Sequence, residues 1–159
     1  MIMMTTYFRP LKKEDIIEVL SLDLRQADRD EIKACIGTGS AEAIAWSLQN
    51  SVDAWVVIHK DKIEGVFGAC LASFKGIPWF LATDKFSEFR ITFMRQSLDF
   101  IMWLIDRYEH LENYIDSRNE KSIRWLKWLG FTVDEDIEYF MDDPNVPFYK
   151  FSMTKEVVM

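Results

Sequence analysis

Few residues in this chain are of types that do chemistry on their own. It has two histidines, His59 and His110, and two cysteines, Cys35 and Cys70. The tetrapeptide Gly37-Thr38-Gly39-Ser40 invites a phosphate-loop reading. It lacks the GxxxxGK[ST] and GxGxxG spacings and no strand feeds it, so it reads as a hinge between helices. The cysteines lie in no metal-ligand or redox spacing and read as reduced, mostly buried thiols. His59 abuts the polar Lys60-Asp61-Lys62 and reads as a solvent-facing residue at a hairpin tip. His110 lies past the end of a long helix, where a cation favours the helix C-terminus. Charge is more suggestive. Arg118, Lys121, Arg124 and Lys127 give a late helix basic positions, either cations for a ligand's phosphates or an ordinary surface, which needs no such explanation. Asp134, Glu135, Asp136, Glu138, Asp142 and Asp143 form an acidic run, either a solvated loop or a surface that attracts a cationic amine or a basic partner.

The elements that must position such groups come from a chain of 159 residues with 49% hydrophobic content, enough for one domain, 1–159, with a sizeable core. A formal net charge of -7 excludes broad nonspecific nucleic-acid binding. The opening MIMMTTYFRP has no basic stretch followed by a long apolar one, and no apolar run reaches bilayer length. A cytoplasmic protein without a membrane span is the expectation.

Alternation and helical spacing predict the order of elements. Tyr7–Leu11 reads as a strand, followed by a helix carrying Ile16, Ile17, Val19, Leu20 and Leu24. A second helix runs from Asp28 to about Cys35, and Ser40 caps a third that carries Ala43, Ile44, Trp46 and Leu48. Asp53–His59 and Ile63–Ser73 form a hairpin, with Gly65 and Gly68 marking a bulge or a close backbone approach. Gly76-Ile77-Pro78 turns the chain into a third strand, Trp79–Ala82, with Pro78 at its start. The longest helix follows Thr83 and runs to about Glu109, with Met94, Leu98, Ile101, Ile105 and Tyr108 on one stripe and Phe89, Phe93, Phe100 and Trp103 widening it. Leu111–Ile115 is a short strand. Asn119 then caps a helix that Gly130 ends, a strand opens at Phe131, and Phe148–Met153 closes the chain.

This order, with the late N-x-x-S-x-x-W-L-x-x-x-G-F run of Asn119, Ser122, Trp125, Leu126, Gly130 and Phe131, resembles the Gcn5-related N-acetyltransferase (GNAT) superfamily. The resemblance covers nearly the whole chain. Leu24–Ile32, Pro78–Thr83 and Ser117–Phe131 further resemble a phage branch, the GNAT-like internal virion proteins of autographivirus-type podophages. The fold implied is α/β (α+β), a mixed, mostly antiparallel sheet with splayed central strands flanked by helices.

The resemblance implies an acyl-CoA, acetyl-CoA in the usual case, lying between the splayed strands Trp79–Ala82 and Leu111–Ile115. Backbone groups of Leu81, Ala82 and Thr83 would pair with the pantetheine arm as an added strand. The pyrophosphate would meet the N-terminus of the long helix near Lys85 and Arg90, and Asn119 would hydrogen-bond the arm. Asp84 and Asp116, at the ends of the two splayed strands, are the candidate bases for an amine substrate, or else helix caps. The chain departs from the pattern in two places. Thr83–Arg90 contains no glycine where the superfamily carries [QR]-x-x-G-x-[GA], and Leu126 stands where many members have a proton-donating tyrosine. Two functions follow: an N-acetyltransferase with a glycine-free pyrophosphate loop, or a catalytically silent scaffold acting in a virion or its assembly through phage and host proteins. Either allows a homo-oligomer.

Overall fold

The computed structural model describes residues 5–139 and 143–156, and the side chains from Glu135 to Asp142 lie outside the described residues. Most of the acidic run therefore lies outside them. The elements are β1 (Thr6–Pro10), a 3-10 turn at Lys13–Asp15, α1 (Ile16–Leu20), α2 (Gln26–Cys35), α3 (Ser40–Asn50), β2 (Ser51–His59), β3 (Lys62–Ala72), β4 (Lys75–Ala82), α4 (Phe86–Tyr108), β5 (His110–Asp116), α5 (Glu120–Leu129), β6 (Thr132–Tyr139) and β7 (Pro147–Thr154). The strands form one sheet in the order β1-β2-β3-β4-β5-β7-β6. Every neighbouring pair is antiparallel except β4 and β5, which are parallel and share a single bridge, Gly76 to Leu111.

Alternation along the strands loads both faces of this sheet. Val56, Ile58 and Val66 pack with Val19, Leu24, Ile32, Ala43 and Ile44 from the α1–α3 side. Val57 and Phe67 point the other way, onto Phe89 and Phe93 of α4. Ile101, Leu104 and Ile105 of α4 and Leu126 and Leu129 of α5 close over Leu111, Ile115 and Phe151. Each fully buried Leu or Phe contributes roughly 1.5–3 kcal/mol, so these two layers hold the sheet from both sides.

Turn chemistry differs from the sequence reading at two places. The β2–β3 connection is the two-residue Lys60-Asp61, both in the left-handed region, which matches the twist of a tight hairpin. The β3–β4 turn is Ser73-Phe74, also left-handed, rather than Gly76-Ile77-Pro78, which lies inside β4. Pro78 is tolerated there because of the pairing pattern. Thr83 donates its N–H to Glu64 O, so alternation turns odd-numbered residues of β4 toward β3 and even-numbered ones toward β5. The missing N–H of Pro78 therefore faces the side where β5 has already parted. Ser40 is the first residue of α3 and makes no capping bond; Gly39 holds the cap position in extended conformation.

Gly65 and Gly68 stand where the sequence placed a bulge or a close approach. Two register shifts interrupt this pairing: Val52 is the extra residue in β2, facing Cys70 and Ala69 one position from Gly68, and Glu64 is the extra residue in β3, next to Gly65. A Cβ at Gly68 would overlap the Asp53 carbonyl oxygen. Backbone cannot move aside as a side-chain end can, so Gly68→Ala is expected to cost about 1–3 kcal/mol of unfolding free energy. Urea denaturation measures this, and a change within experimental error would show that the β2 bulge relaxes freely.

Candidate functional site

Where β4 and β5 part, the gap is bridged by side chains. Asn113 Nδ2 of β5 donates to the Pro78 carbonyl at 2.8 Å, replacing a ladder bond. Beyond it opens a cavity of about 750 Å³, lined from β4 by Trp79, Phe80 and Leu81, from β5 by Asn113 and Tyr114, and by residues of α2, α4 and α5. Phe80 stacks on Phe93 with centroids 4.3 Å apart, and Trp125 meets Phe93 at 5.5 Å. This gives the α4–α5 wall an aromatic lining. The Trp125 indole N–H is buried with no acceptor among the described residues.

The wall contributed by α2 is charged. Asp28, 3% exposed, receives Arg25 Nε at 3.0 Å and Nη2 at 2.9 Å, and its Oδ2 also accepts the Ala82 N–H at 3.0 Å. Burial pushes the Asp28 carboxyl up from its ordinary value, while Arg25 and the Ala82 N–H act against that. One helical turn on, Glu31 Oε1 accepts the Asp116 N–H at 2.8 Å. Burial drives the Glu31 carboxyl up to about 7; the Asp116 N–H lowers it, and the neighbouring Asp28 and Asp116 carboxylates raise it further. A carboxyl with that value exchanges a proton near neutrality, the property a general base needs.

The sequence-derived site residues are dispersed by this arrangement. Asp116 is buried and grips Arg118, accepting its backbone N–H at 2.9 Å and its Nη2 at 2.6 Å. It lines a smaller cavity of about 370 Å³ with Asp30, Asn119, Lys121 and Arg124. Asp84 is exposed, and its carbonyl accepts from Ser87 at the start of α4. Asn119 caps α5 as expected, its Oδ1 accepting the Ser122 N–H at 3.2 Å, and also lines the main cavity. Leu126 of α5 is buried in the core and also lines the main cavity.

The backbone of Leu81, Ala82 and Thr83 is engaged within the chain. Leu81 turns toward β3, the Ala82 N–H and C=O are taken by Asp28 and by the Arg25 N–H at 2.8 Å, and Thr83 donates its N–H to Glu64 O. Phe80 is the remaining β4 residue here whose backbone groups face the gap. At the N-terminus of α4 the N–H groups of Phe86, Ser87 and Glu88 bond the carbonyls of Thr83, Asp84 and Lys85. Lys85 pairs with Glu88 at 3.3 Å, and Arg90 is exposed. Lys60, His59 and Lys85 hold the Glu88 carboxyl down to about 2. An acyl-bearing arm thus fits the cavity in size and lining, with the Trp125 N–H as an unused donor. The backbone cradle that a pyrophosphate needs is not offered at α4.

His59 is a correction. It is 5% exposed, its Nδ1 lies 2.7 Å from Thr6 Oγ1 and its Nε2 3.4 Å from Glu88 Oε1, and its ring sits 5.0 Å from that of Phe89. It faces inward because the two-residue turn keeps it inside the β2–β3 ladder, where side chains alternate in and out. It fastens β1 and β2 to the start of α4.

Solved structures share this architecture. Spermidine N-acetyltransferase from Vibrio cholerae in complex with CoA and spermine superposes at a TM-score of 0.67, with 13% identity, over 94% of this chain and 95% of that one. The ribosomal-protein-S5-alanine acetyltransferase from Vibrio fischeri gives 0.68, with 16% identity, over 97% and 95%. The fold is that of the GNAT acetyltransferases. The smu.2055 protein of Streptococcus mutans UA159 gives 0.70 at 19% identity, over 93% and 98%. No protein-family model matches the chain, and no curated protein matches it by sequence. Among the described residues no helix is long and apolar enough to cross a membrane.

Arg25, Asp28 and Glu31 escaped the sequence reading because i, i+3 charged residues on a short helix look like a solvated face. The usable signal was the apolar content of the same turns, Ile32 and Ala34, which drags that face inward. Glu31 generates a prediction. Its carboxyl is raised in the folded state, so its neutral form stabilises the fold fully below about pH 4.5, and that contribution is lost as pH rises through about 7. Glu31→Gln keeps an acceptor for Asp116 and is expected to remove a pH-dependent loss on the order of 2 kcal/mol. Urea denaturation of both proteins between pH 5 and pH 8 checks this (a range of roughly 3 units about the expected midpoint), and parallel curves would contradict it.

Proposed function

We propose that this protein is an acyl-CoA-dependent N-acyltransferase acting on a cationic amine, with Glu31 as the general base. The observation that carries this is the placement of Glu31, with its carboxyl at about 7, in the cavity where β4 parts from β5. Support comes also from the shared fold of a spermidine N-acetyltransferase whose structure holds CoA and spermine. A bound acyl-CoA supplies the thioester carbonyl that the amine attacks. This chain supplies the rest. With Asp28 paired to Arg25, Glu31 is the carboxylate left to meet an ammonium group in the cavity, and the faces of Phe80 and Trp125 favour the same cation. Glu31 takes the proton from that ammonium, leaving a neutral nitrogen with a free lone pair. Asn119 and the Trp125 N–H are donors for the acyl-bearing arm, and Lys85 and Arg90 are the cations for its phosphates. Leu126 donates no proton, so the leaving thiolate is protonated by water or by the acid form of Glu31. The setting proposed is the host cytoplasm, and a homo-oligomer is compatible with it, as a dodecameric structure exists for the Vibrio cholerae enzyme.

A second reading rests on a different observation. The Ala82 N–H and C=O, which an added ligand strand would use, are already filled by Asp28 and Arg25. That favours a silent scaffold serving as a phage internal virion or assembly protein through contacts with phage or host proteins.

A transfer assay with acetyl-CoA and a panel of polyamines separates the two. The first reading expects turnover whose rate rises with pH through about 7, and expects Glu31→Gln to lower kcat/KM by a factor of about 10²–10⁴. Unaltered turnover in Glu31→Gln would remove Glu31 from the chemistry. Absence of both turnover and acetyl-CoA binding would leave the scaffold reading.

A further inference from the structure

The contact between α2 and β4 has the geometry of a ligand bound to the strand edge. Asp28 Oδ2 accepts the Ala82 N–H, and the Arg25 backbone N–H donates to Ala82 O, so donor and acceptor of one edge residue are answered by a single short segment. This is the pairing an extended amide-containing ligand makes when it adds to a strand edge. The Arg25 side chain completes it, holding Asp28 through two bonds and lying 4.6 Å over the Phe86 ring and 5.4 Å over the Phe80 ring. One guanidinium thus covers both the open edge of β4 and the first residue of α4. The arrangement is also self-consistent in charge: Asp28 is the anion that occupies Arg25, and Arg25 is 19% exposed in its side chain.

We infer that the Arg25–Asp28 pair is an autoinhibitory clasp that closes the β4 edge and must be displaced before an acyl-CoA can enter the cavity. The inference rests on the acyltransferase reading above, and it reconciles that reading with the occupied edge. Release of Asp28 frees the Ala82 N–H for an amide carbonyl of the arm. The same release leaves Arg25 with an unpaired guanidinium beside the start of α4, where the glycine-free turn offers no backbone cradle of its own. A phosphate group is the anion that replaces Asp28 there, and the charge on Arg25 remains balanced before and after the exchange. The clasp raises the threshold for binding because a ligand must first break three side-chain hydrogen bonds within the chain.

The test compares the wild-type protein with Asp28→Ala by hydrogen exchange at the Ala82 amide and by calorimetric titration with CoA. The clasp predicts Ala82 exchange at least about tenfold faster in the variant and CoA binding at least about tenfold tighter, roughly the 1.4 kcal/mol equivalent of one factor of ten. Unchanged exchange overturns the clasp directly. Faster exchange with the same CoA affinity in both proteins overturns it as a barrier to binding while the acyltransferase reading stands. Faster exchange with no CoA binding in either protein overturns the acyltransferase reading, and the clasp with it. Should Asp28→Ala fail to unfold cooperatively, Asp28→Asn keeps the side-chain size and an acceptor but loses the ion pair. Its expected gain in CoA affinity is about threefold, and no gain overturns the clasp.

Discussion

The constraint on which the rest of this molecule depends is the parting of β4 from β5 immediately after they meet. They touch at Gly76 and Leu111, where a Cβ on Gly76 would stand 2.8 Å from the Leu111 side chain and 2.9 Å from Tyr108. Two residues later Pro78 has no N–H to offer β5, and Asn113 spends its side-chain amide on the Pro78 carbonyl instead. Once the ladder is broken, the sheet's right-handed twist carries the strands apart. Everything of chemical interest lies in the resulting gap: backbone groups without strand partners, a cavity walled by helices from both faces, and two carboxylates drawn in from α2, Asp28 buried and Glu31 half-buried.

A gap in a sheet leaves polar groups that must find partners, since a buried unpaired N–H or C=O costs about 1–3 kcal/mol. In this chain the partners are internal. Ala82 is answered by Asp28 and by the Arg25 backbone, and Asp116 by Glu31. That solution draws two acidic side chains into a low-dielectric space, and burial there pushes the Glu31 carboxyl up to about 7. Structural need and chemical capacity thus share one origin. The groups that seal the edge are the groups that could handle a proton there.

Much of the fold was legible in the sequence because local signals agreed with the global arrangement. Asn119 and Gly130 bracket α5 as their residue types require, the aromatic stripe of α4 faces the sheet, and Gly65 and Gly68 of β3 stand beside the two irregularities of the β2–β3 pairing. Turn placement was less legible, since Ser73 and Phe74 adopt left-handed conformations that neither residue type advertises. The site was the least legible part. Asp84 and Asp116 stand at strand ends, where a base could meet an amine, yet one is exposed and the other is committed to Arg118. Arg25, Asp28 and Glu31 acquire their roles only because α2 folds back on β4 across more than fifty residues of chain, as in the bond between Asp28 and Ala82 with its separation of 54. No spacing rule reports a contact at that range. The shared GNAT fold locates the gap, but sites rather than folds carry function.

The most direct test of the claim that the gap between β4 and β5 is the ligand site is an acetyl-CoA titration of the isotope-labelled protein followed by backbone and indole amide shifts. Saturable changes concentrated at Phe80, Ala82, Asn113 and the Trp125 indole N–H are the predicted result. Saturable changes confined to the exposed Arg118–Arg124 face, with those four signals unmoved, would contradict the account.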